Sequence, residues 1–78
     1  KGKYTIEVSM YPNPASETLT IEVPNQDVFK VSIFDMAGKE LFQTEQTSAL
    51  MTIDVSSFSH GVYFVTINDT QTKKLIIQ

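Results

Sequence analysis

Residues 29–42 read FKVSIFDMAGKELF, and this stretch decides the class of fold. Apolar residues, among them Val31 and Ile33, recur at every second position, which is the period of a β-strand that buries one face. At the following turn, Asp35 can accept hydrogen bonds from backbone N–H groups, and Gly38 can adopt a positive φ without steric cost. We therefore predict a tight hairpin with a bulge that joins two antiparallel strands.

The same period recurs along the chain and predicts about seven short strands in all. The remaining strands are indicated by Tyr4, Ile6, Val8 and Met10; Leu19, Ile21 and Val23; Leu41 and Phe42; Met51, Ile53 and Val55; Tyr63, Val65 and Ile67; and Leu75, Ile76 and Ile77. Polar residues 68–72 suit a hairpin between the last two strands. Since no helix is predicted to cover a sheet, the sheets must cover each other. We predict an all-β fold, a small antiparallel β-sandwich of the immunoglobulin-like, Greek-key type.

Length and composition fit one small folded domain. The chain has 78 residues, of which 41% are hydrophobic and 19% charged, which is enough apolar material for one core and too little for two. The net charge of −3 argues against nucleic acid as a partner. No apolar run approaches the roughly 18 residues that a membrane span needs. We predict a linker remnant at residues 1–3 and one domain at residues 4–78.

His60 and its neighbours contain the residue types of a hydrolytic triad. These neighbours are Asp54, Ser56, Ser57 and Ser59. Because all of them share one predicted turn of a domain too small for a deep cleft, they indicate a solvated turn rather than a catalytic site. The aspartates are scattered over different loops, and the chain has one histidine and no cysteine, so neither calcium nor zinc is expected. The sequence predicts no enzyme, no cofactor and no metal site.

Three aromatic residues leave an alternative open. If Tyr11, Phe42 and Phe58 shared an exposed face, they would form a platform on which sugar rings stack, typical of a carbohydrate-binding or adhesive sandwich module. The other interpretation places them in the core or at its rim, where most aromatic residues lie.

Two motifs near the ends of the chain have a physical meaning of their own. Asn13 lies between Pro12 and Pro14, and the two rings restrict its backbone, which predicts a rigid loop. The stretch KKLII, residues 73–77, combines a cationic start with an apolar strand. It can pair within a sheet or be read by a receptor, and both uses remain open.

Between these motifs, Gly61 and Tyr63 begin the sixth predicted strand. Glycine gives the backbone the freedom to turn directly into a buried strand. Tyrosine combines an apolar ring with a polar tip, so we expect a structural role for Tyr63.

Taken in order, MYPNPA (residues 10–15), VSIFDMAGK (31–39), and GVYFV (61–65) with KKLII (73–77) resemble a known family. The chain is similar, over nearly its whole length, to the type A C-terminal sorting domain of the type IX (Por) secretion system of Bacteroidota. One departure is Gln78, since members often end in a basic residue. The candidate recognition residues are those of the motifs: Tyr11, Pro12, Asn13, Pro14, Asp35, Gly38, Gly61, Tyr63, Lys73, Lys74, Leu75, Ile76 and Ile77.

The resemblance implies a role in protein export. A passenger, often a protease, adhesin or glycoside hydrolase, would precede the domain in the same chain and reach the periplasm by an N-terminal signal. The type IX translocon would then carry it across the outer membrane to the cell surface or the medium. In this family a sortase-like cysteine protease commonly cuts just before the domain and joins the passenger to anionic lipopolysaccharide. Here the cut would fall near or before Lys1.

Overall fold

The computed structural model describes residues 8–23, 29–46 and 49–78. In these ranges the chain forms seven strands. The described residues contain no helix that is long and apolar enough to span a membrane. The strands are β1 (Ser9–Tyr11), β2 (Thr18–Glu22), β3 (Phe29–Phe34), β4 (Glu40–Gln46), β5 (Leu50–Asp54), β6 (Gly61–Ile67) and β7 (Gln71–Ile77). The predicted linker at residues 1–3 and the start of the domain at Tyr4 lie outside the described residues.

The strands form two sheets in which every pairing is antiparallel. One sheet has the order β1-β2-β5 and the other β4-β3-β6-β7. Strands two and five thus pair in one sheet, and strands three, six and seven lie together in the other, as in immunoglobulin-like sandwiches. The predicted all-β sandwich is confirmed.

The core lies between the two sheets and is built from alternate residues of their strands, as the period of two predicted. Its buried members are Ala15, Leu19, Ile21, Val23, Phe29, Val31, Ile33, Met51, Ile53, Val55, Tyr63, Val65, Ile67, Leu75 and Ile77. The apolar run near the end of the chain divides between two faces, because Leu75 and Ile77 are buried whereas Ile76 is only half-buried.

One edge strand, β4, is longer than the sequence predicts. The fourth strand was predicted around Leu41 and Phe42 only, yet β4 has seven residues. Phe42 packs against the core, while Leu41 is 41% exposed. An edge strand is held by backbone pairing on one side and needs few apolar side chains, so its full length carries little signal in the sequence. Of the predicted first strand, Tyr4 and Ile6 lie outside the described residues, and the described part, β1, begins at Ser9 and ends at Tyr11.

The loops and strand ends divide between two ends of the molecule, which is 42 Å long. The register pairs Phe34 with Phe64 and Gly61 with Ile77, so the β3–β4 turn, the start of β6 and the end of β7 lie at the same end. A parallel bridge between Ala15 and Ile77 brings the β1–β2 connection to that end too. We call it the C-terminal pole. The start of β1 and the β6–β7 turn lie at the opposite end.

Candidate functional site

Residues 13–15 dock along the outer edge of β7, and we call them the clasp. The side-chain Nδ2 of Asn13 donates to the backbone oxygen of Lys74 at 3.0 Å, and its Oδ1 accepts from the backbone nitrogen of Ile76 at 3.0 Å. The backbone nitrogen of Ala15 donates to the oxygen of Ile76, and its oxygen accepts from the nitrogen of Gln78, both at 2.8 Å. Acceptors and donors therefore alternate along β7 as they would beside another strand.

The clasp joins two of the predicted motifs, since Asn13 bonds to residues 61 and 63 positions further along the chain. Pro12 and Pro14 are exposed on either side of it, and both are preceded by cis peptide bonds. Ala15 follows with 1% of its surface exposed. It lay inside a motif but was not predicted as a site residue, although a small apolar residue directly after a turn suits close packing. The contact with β7 itself left no signal in the sequence.

The KKLII stretch takes the first of the two uses that the sequence left open, pairing within a sheet, and its recognition by a receptor stays a prediction. The strand pairs with β6 along its whole length, so KKLII is part of the sheet, at its edge. Lys74 is exposed and Lys73 is half-buried. Neither makes an ion pair in the described part of the chain, where the salt bridge found joins Lys30 to Asp69 at 3.1 Å.

Asp35 and Gly38 set the β3–β4 turn, as predicted. The Oδ1 atom of Asp35 accepts from the backbone nitrogens of Ala37 and Lys39, each at 2.9 Å. Gly38 has φ +89°, a region that other residues adopt at a cost. The pairing of β3 with β4 shifts its register between Ile33 and Phe34, just before this turn. The predicted hairpin with a bulge is confirmed, and the turn lies at the C-terminal pole.

Gly61 and Tyr63 fix the entry into β6. Gly61 has φ +154°, which L-residues rarely adopt, at the first residue of the strand. Tyr63 is 6% exposed, and its hydroxyl donates to the backbone oxygen of Ser59 at 2.6 Å. Its ring lies 5.4 Å from that of Phe58. A tyrosine that bonds back to the backbone just before its strand is the tyrosine corner of immunoglobulin-like sandwiches.

We expect Tyr63→Phe to lower the free energy of unfolding by about 1 kcal/mol, because it removes one hydrogen bond and keeps the ring against Phe58. Denaturant unfolding followed by circular dichroism measures this effect. Tyr11→Phe is the matched control, since Tyr11 is 46% exposed and its change should be close to neutral. Equal effects of the two substitutions would contradict a role for the Tyr63 hydroxyl in the corner.

The aromatic residues do not form a platform. Tyr11 is exposed on the three-stranded sheet, whereas Phe42 lies on the four-stranded sheet. Phe42 and Phe58 are partly buried and pack against the core. Tyr11 is thus the one aromatic residue of the three that presents a large exposed surface, and the rim interpretation holds for the other two.

The turn around His60 has a structural explanation. The Oδ1 atom of Asp54 accepts from the hydroxyl of Ser56 at 2.6 Å and from its backbone nitrogen at 2.9 Å. These two bonds hold the pKa of the Asp54 carboxyl below its usual range, and the bond from the Ser56 hydroxyl has the larger effect. His60 is exposed and makes no hydrogen bond with any described residue. Asp54 therefore caps a turn with Ser56 and does not orient the histidine.

Carboxylates elsewhere are also engaged in turns. Asp35 bonds to its own turn, and Asp69 lies beside Lys30 at the other end of the molecule. The structure does not describe Asp27. Among residues 8–23, 29–46 and 49–78, no three histidine, cysteine or acidic side chains lie close enough together to hold a metal ion.

The fold and the clasp together define a small immunoglobulin-like domain that presents its own last strand at one pole. Residues 9–78 match the family described as secretion system C-terminal sorting domain, and the chain belongs to that family. The resemblance in the motifs is thereby confirmed.

Three proteins with a similar segment are named as an agarase and two ulvan lyases. The chain is 33% identical over 70 residues to beta-agarase A of Zobellia galactanivorans, covering 88% of this chain and 13% of that protein. It is 31% identical over 77 residues to an endo-acting ulvan lyase of Formosa agariphila, covering 92% and 15%. Ulvan lyase NLR42 of Nonlabens ulvanivorans is 29% identical over 75 residues, covering 90% and 14%. The chain thus spans less than one-sixth of the length of each of these relatives.

The role of the domain follows from the family to which it belongs. It is the C-terminal sorting signal of a passenger protein in the same chain, and it directs export by the type IX secretion system to the cell surface or the medium. The sorting-domain family is non-catalytic. The predicted sorting function and location are confirmed, and the carbohydrate-binding alternative is not favoured.

Proposed function

We propose that the type IX translocon recognises the C-terminal pole, and that a sortase-like protease at the cell surface then removes the domain and attaches the passenger. The observation that carries the proposal is the clasp, which places the PNP loop beside the KKLII strand. Asn13 in this loop bonds to Lys74 and Ile76, which lie 61 and 63 positions further along the chain. One receptor surface can contact both motifs at once.

The candidate recognition residues fall into two groups by exposure. A receptor touches only exposed atoms, and Tyr11, Pro12, Pro14 and Lys74 have exposed side chains that bond to no other described residue. The residues that build the pole do so through buried or internally bonded groups, as in the Asp35 turn and the Tyr63 corner. We assign direct contact to the first group and support of the pole to the second.

The position of the passenger supports the same pole. The passenger precedes the domain in the chain, and the chain enters the sandwich at the end where Ser9 pairs with Glu22. The C-terminal pole lies at the opposite end of a molecule 42 Å long. A translocon component bound there would leave the passenger free. A protease that removes the domain would cut before it, near or before Lys1.

The names of the relatives suggest what the passenger does. They are an agarase and two ulvan lyases, enzymes whose names refer to polysaccharides. We propose that the passenger of this domain also acts on a polysaccharide.

The experiment that tests the function is export of a fluorescent reporter that carries a periplasmic export signal and this domain at its C-terminus. The host is a member of the Bacteroidota, compared with a mutant that lacks a working type IX translocon. We expect the reporter outside the first strain and retained in the periplasm of the second. The same reporter without the domain should stay in the periplasm of both. Retention of the folded fusion in the wild-type host would contradict the proposal.

A further inference from the structure

We propose that Asn13 is a positioning residue, whose side chain replaces one rung of a neighbouring strand and holds residues 74–78 in the form that the export machinery reads. This inference rests on the proposed recognition of the C-terminal pole. The inference goes beyond that proposal, because Asn13 would act by holding β7 in place and would not itself contact the translocon.

The geometry of Asn13 is that of a peptide group in a ladder. Its carboxamide offers one donor and one acceptor, and it uses them on Lys74 and Ile76, which are two residues apart. Ala15 continues the pattern on Ile76 and Gln78 through its backbone, and it forms a parallel bridge with Ile77. A side chain and a backbone thus make consecutive rungs on one strand edge.

The flanking prolines explain why a side chain is used. Proline has no backbone N–H, so Pro12 and Pro14 cannot donate to β7. The donor to Lys74 is instead the amide of Asn13, at 3.0 Å. The motif PNP therefore combines a restrained backbone with a single residue whose side chain can both donate and accept.

The end of β7 depends on this support. The strand is at the edge of its sheet, with β6 on one side only. On its outer side, the nitrogen of Ile76 bonds to Asn13 and the nitrogen of Gln78 bonds to Ala15. Strand ends that lack such partners open locally at little cost in free energy. Without the clasp, we expect residues 76–78 to fray from the sandwich while the rest of β7 stays paired.

The clasp covers only part of the edge, which indicates that it serves the strand end in particular. By the alternation of the strand, Thr72 points its backbone groups to the same outer side as Lys74 and Ile76. In the described part of the chain no backbone bond from another segment reaches Thr72. The covered groups run from Lys74 to Gln78, where the apolar end of the KKLII motif lies.

The test compares two variants that change the clasp with one that does not, each in the isolated domain and in the reporter fusion. Asn13→Ala removes both side-chain bonds. Asn13→Asp keeps an acceptor for the Ile76 nitrogen but loses the donor to Lys74. Asn68→Ala is the matched control at the other end of the molecule. It loses a 2.8 Å bond from the backbone nitrogen of Lys30 and places alanine at φ +55°, so it destabilises the fold without touching the clasp.

Amide hydrogen exchange of the isolated domain reports on the strand end. In Asn13→Ala we expect the Ile76 and Gln78 amides to exchange about tenfold faster, while the Leu75 amide, whose residue pairs with Tyr63, stays protected. Asn13→Asp should fall between Asn13→Ala and the unchanged domain. In Asn68→Ala the Ile76 and Leu75 amides should change by the same factor, because only global stability is affected.

Export of the fusions then separates positioning from stability. At a temperature where all variants are folded, we expect Asn13→Ala to lose most export, Asn13→Asp to lose less and Asn68→Ala to export normally. Normal export of Asn13→Ala with an exposed Ile76 amide would overturn the inference, as would unchanged exchange at Ile76. Equal losses of export in Asn13→Ala and Asn68→Ala would show that Asn13 only stabilises the fold, and this result too would overturn the inference. Retention of the unchanged fusion would instead contradict the proposed function on which the inference rests.

Discussion

We expect the Ile33→Ala variant to unfold with a free energy about 3 kcal/mol below that of the unchanged domain. Ile33 is fully buried in the central part of the four-stranded sheet, where it pairs with Phe42 on one side and Val65 on the other. Alanine removes apolar surface from the core and leaves a cavity between strands that cannot collapse freely. Because a domain of this size is stable by only roughly 4 to 12 kcal/mol, the loss is a large part of the total.

Ile33→Val is the control for this prediction, since it removes one methylene and should lower the free energy of unfolding by about 1 kcal/mol. Urea unfolding of the isolated domain measures both variants, and an unchanged denaturant slope would show that the unfolded state is unaffected. Val65→Ala should be destabilising as well, because Val65 is fully buried opposite Ile33. An effect near zero for Ile33→Ala would contradict the strand register.

The second large effect is expected at the clasp, where Ala15→Leu should lower the free energy of unfolding by about 2 kcal/mol. Ala15 is 1% exposed, and its backbone is fixed by bonds to Ile76 and Gln78. Because Ala15 is buried in the core cluster, we expect a leucine there either to push the clasp away from β7 or to shift the core. Unfolding in denaturant measures the cost, and faster exchange of the Gln78 amide would show that the clasp has moved.

Ala37→Leu is the matched control, because Ala37 lies exposed in the β3–β4 turn and donates only through its backbone nitrogen to Asp35. The same chemical change there should alter the free energy of unfolding by less than about 0.5 kcal/mol. If Ala15→Leu were as neutral as Ala37→Leu, the tight packing of the clasp would be refuted.

The two variants also bear on export in different ways. Ile33→Ala acts on the whole core, so any loss of export would follow the fraction of folded domain. Ala15→Leu acts at the pole that we propose as the recognition site. Its export should fall further than its stability alone predicts, which a comparison of the two fusions at matched folded fractions would reveal.

Local patterns in the sequence were sufficient for the strands that build most of the core and for two of the turns. Core alternation in β2, β3, β5 and β6 is a property of neighbouring residues, because successive side chains of a strand point to opposite faces. The Asp35–Gly38 turn and the hairpin after Ile67 likewise depend on a few adjacent residues. In the hairpin, Asn68 and Asp69 adopt φ of +55° and +57°, which asparagine and aspartate tolerate.

The extent of β4 needed the structure. Among residues 40–45, Phe42 is the one packed against the core, and the pairing with β3 defines the rest of the strand. Asn68 was predicted as part of the hairpin turn, but its long-range bond was not. Its side chain accepts a bond from the nitrogen of Lys30, 38 positions away, and so ties the hairpin to β3.

By itself, therefore, the sequence determined the class of fold, the core faces and the sorting-domain motifs. All of these depend on the order and spacing of residues that are close together in the chain. Only the tertiary structure decided that Asn13 and Ala15 bind the outer edge of β7 and so join the first motif to the last. The physical reason is that an edge strand offers the same backbone donors and acceptors whatever its side chains are. Which segment satisfies them depends on how the two sheets pack, which brings the β1–β2 connection to the end of the last strand.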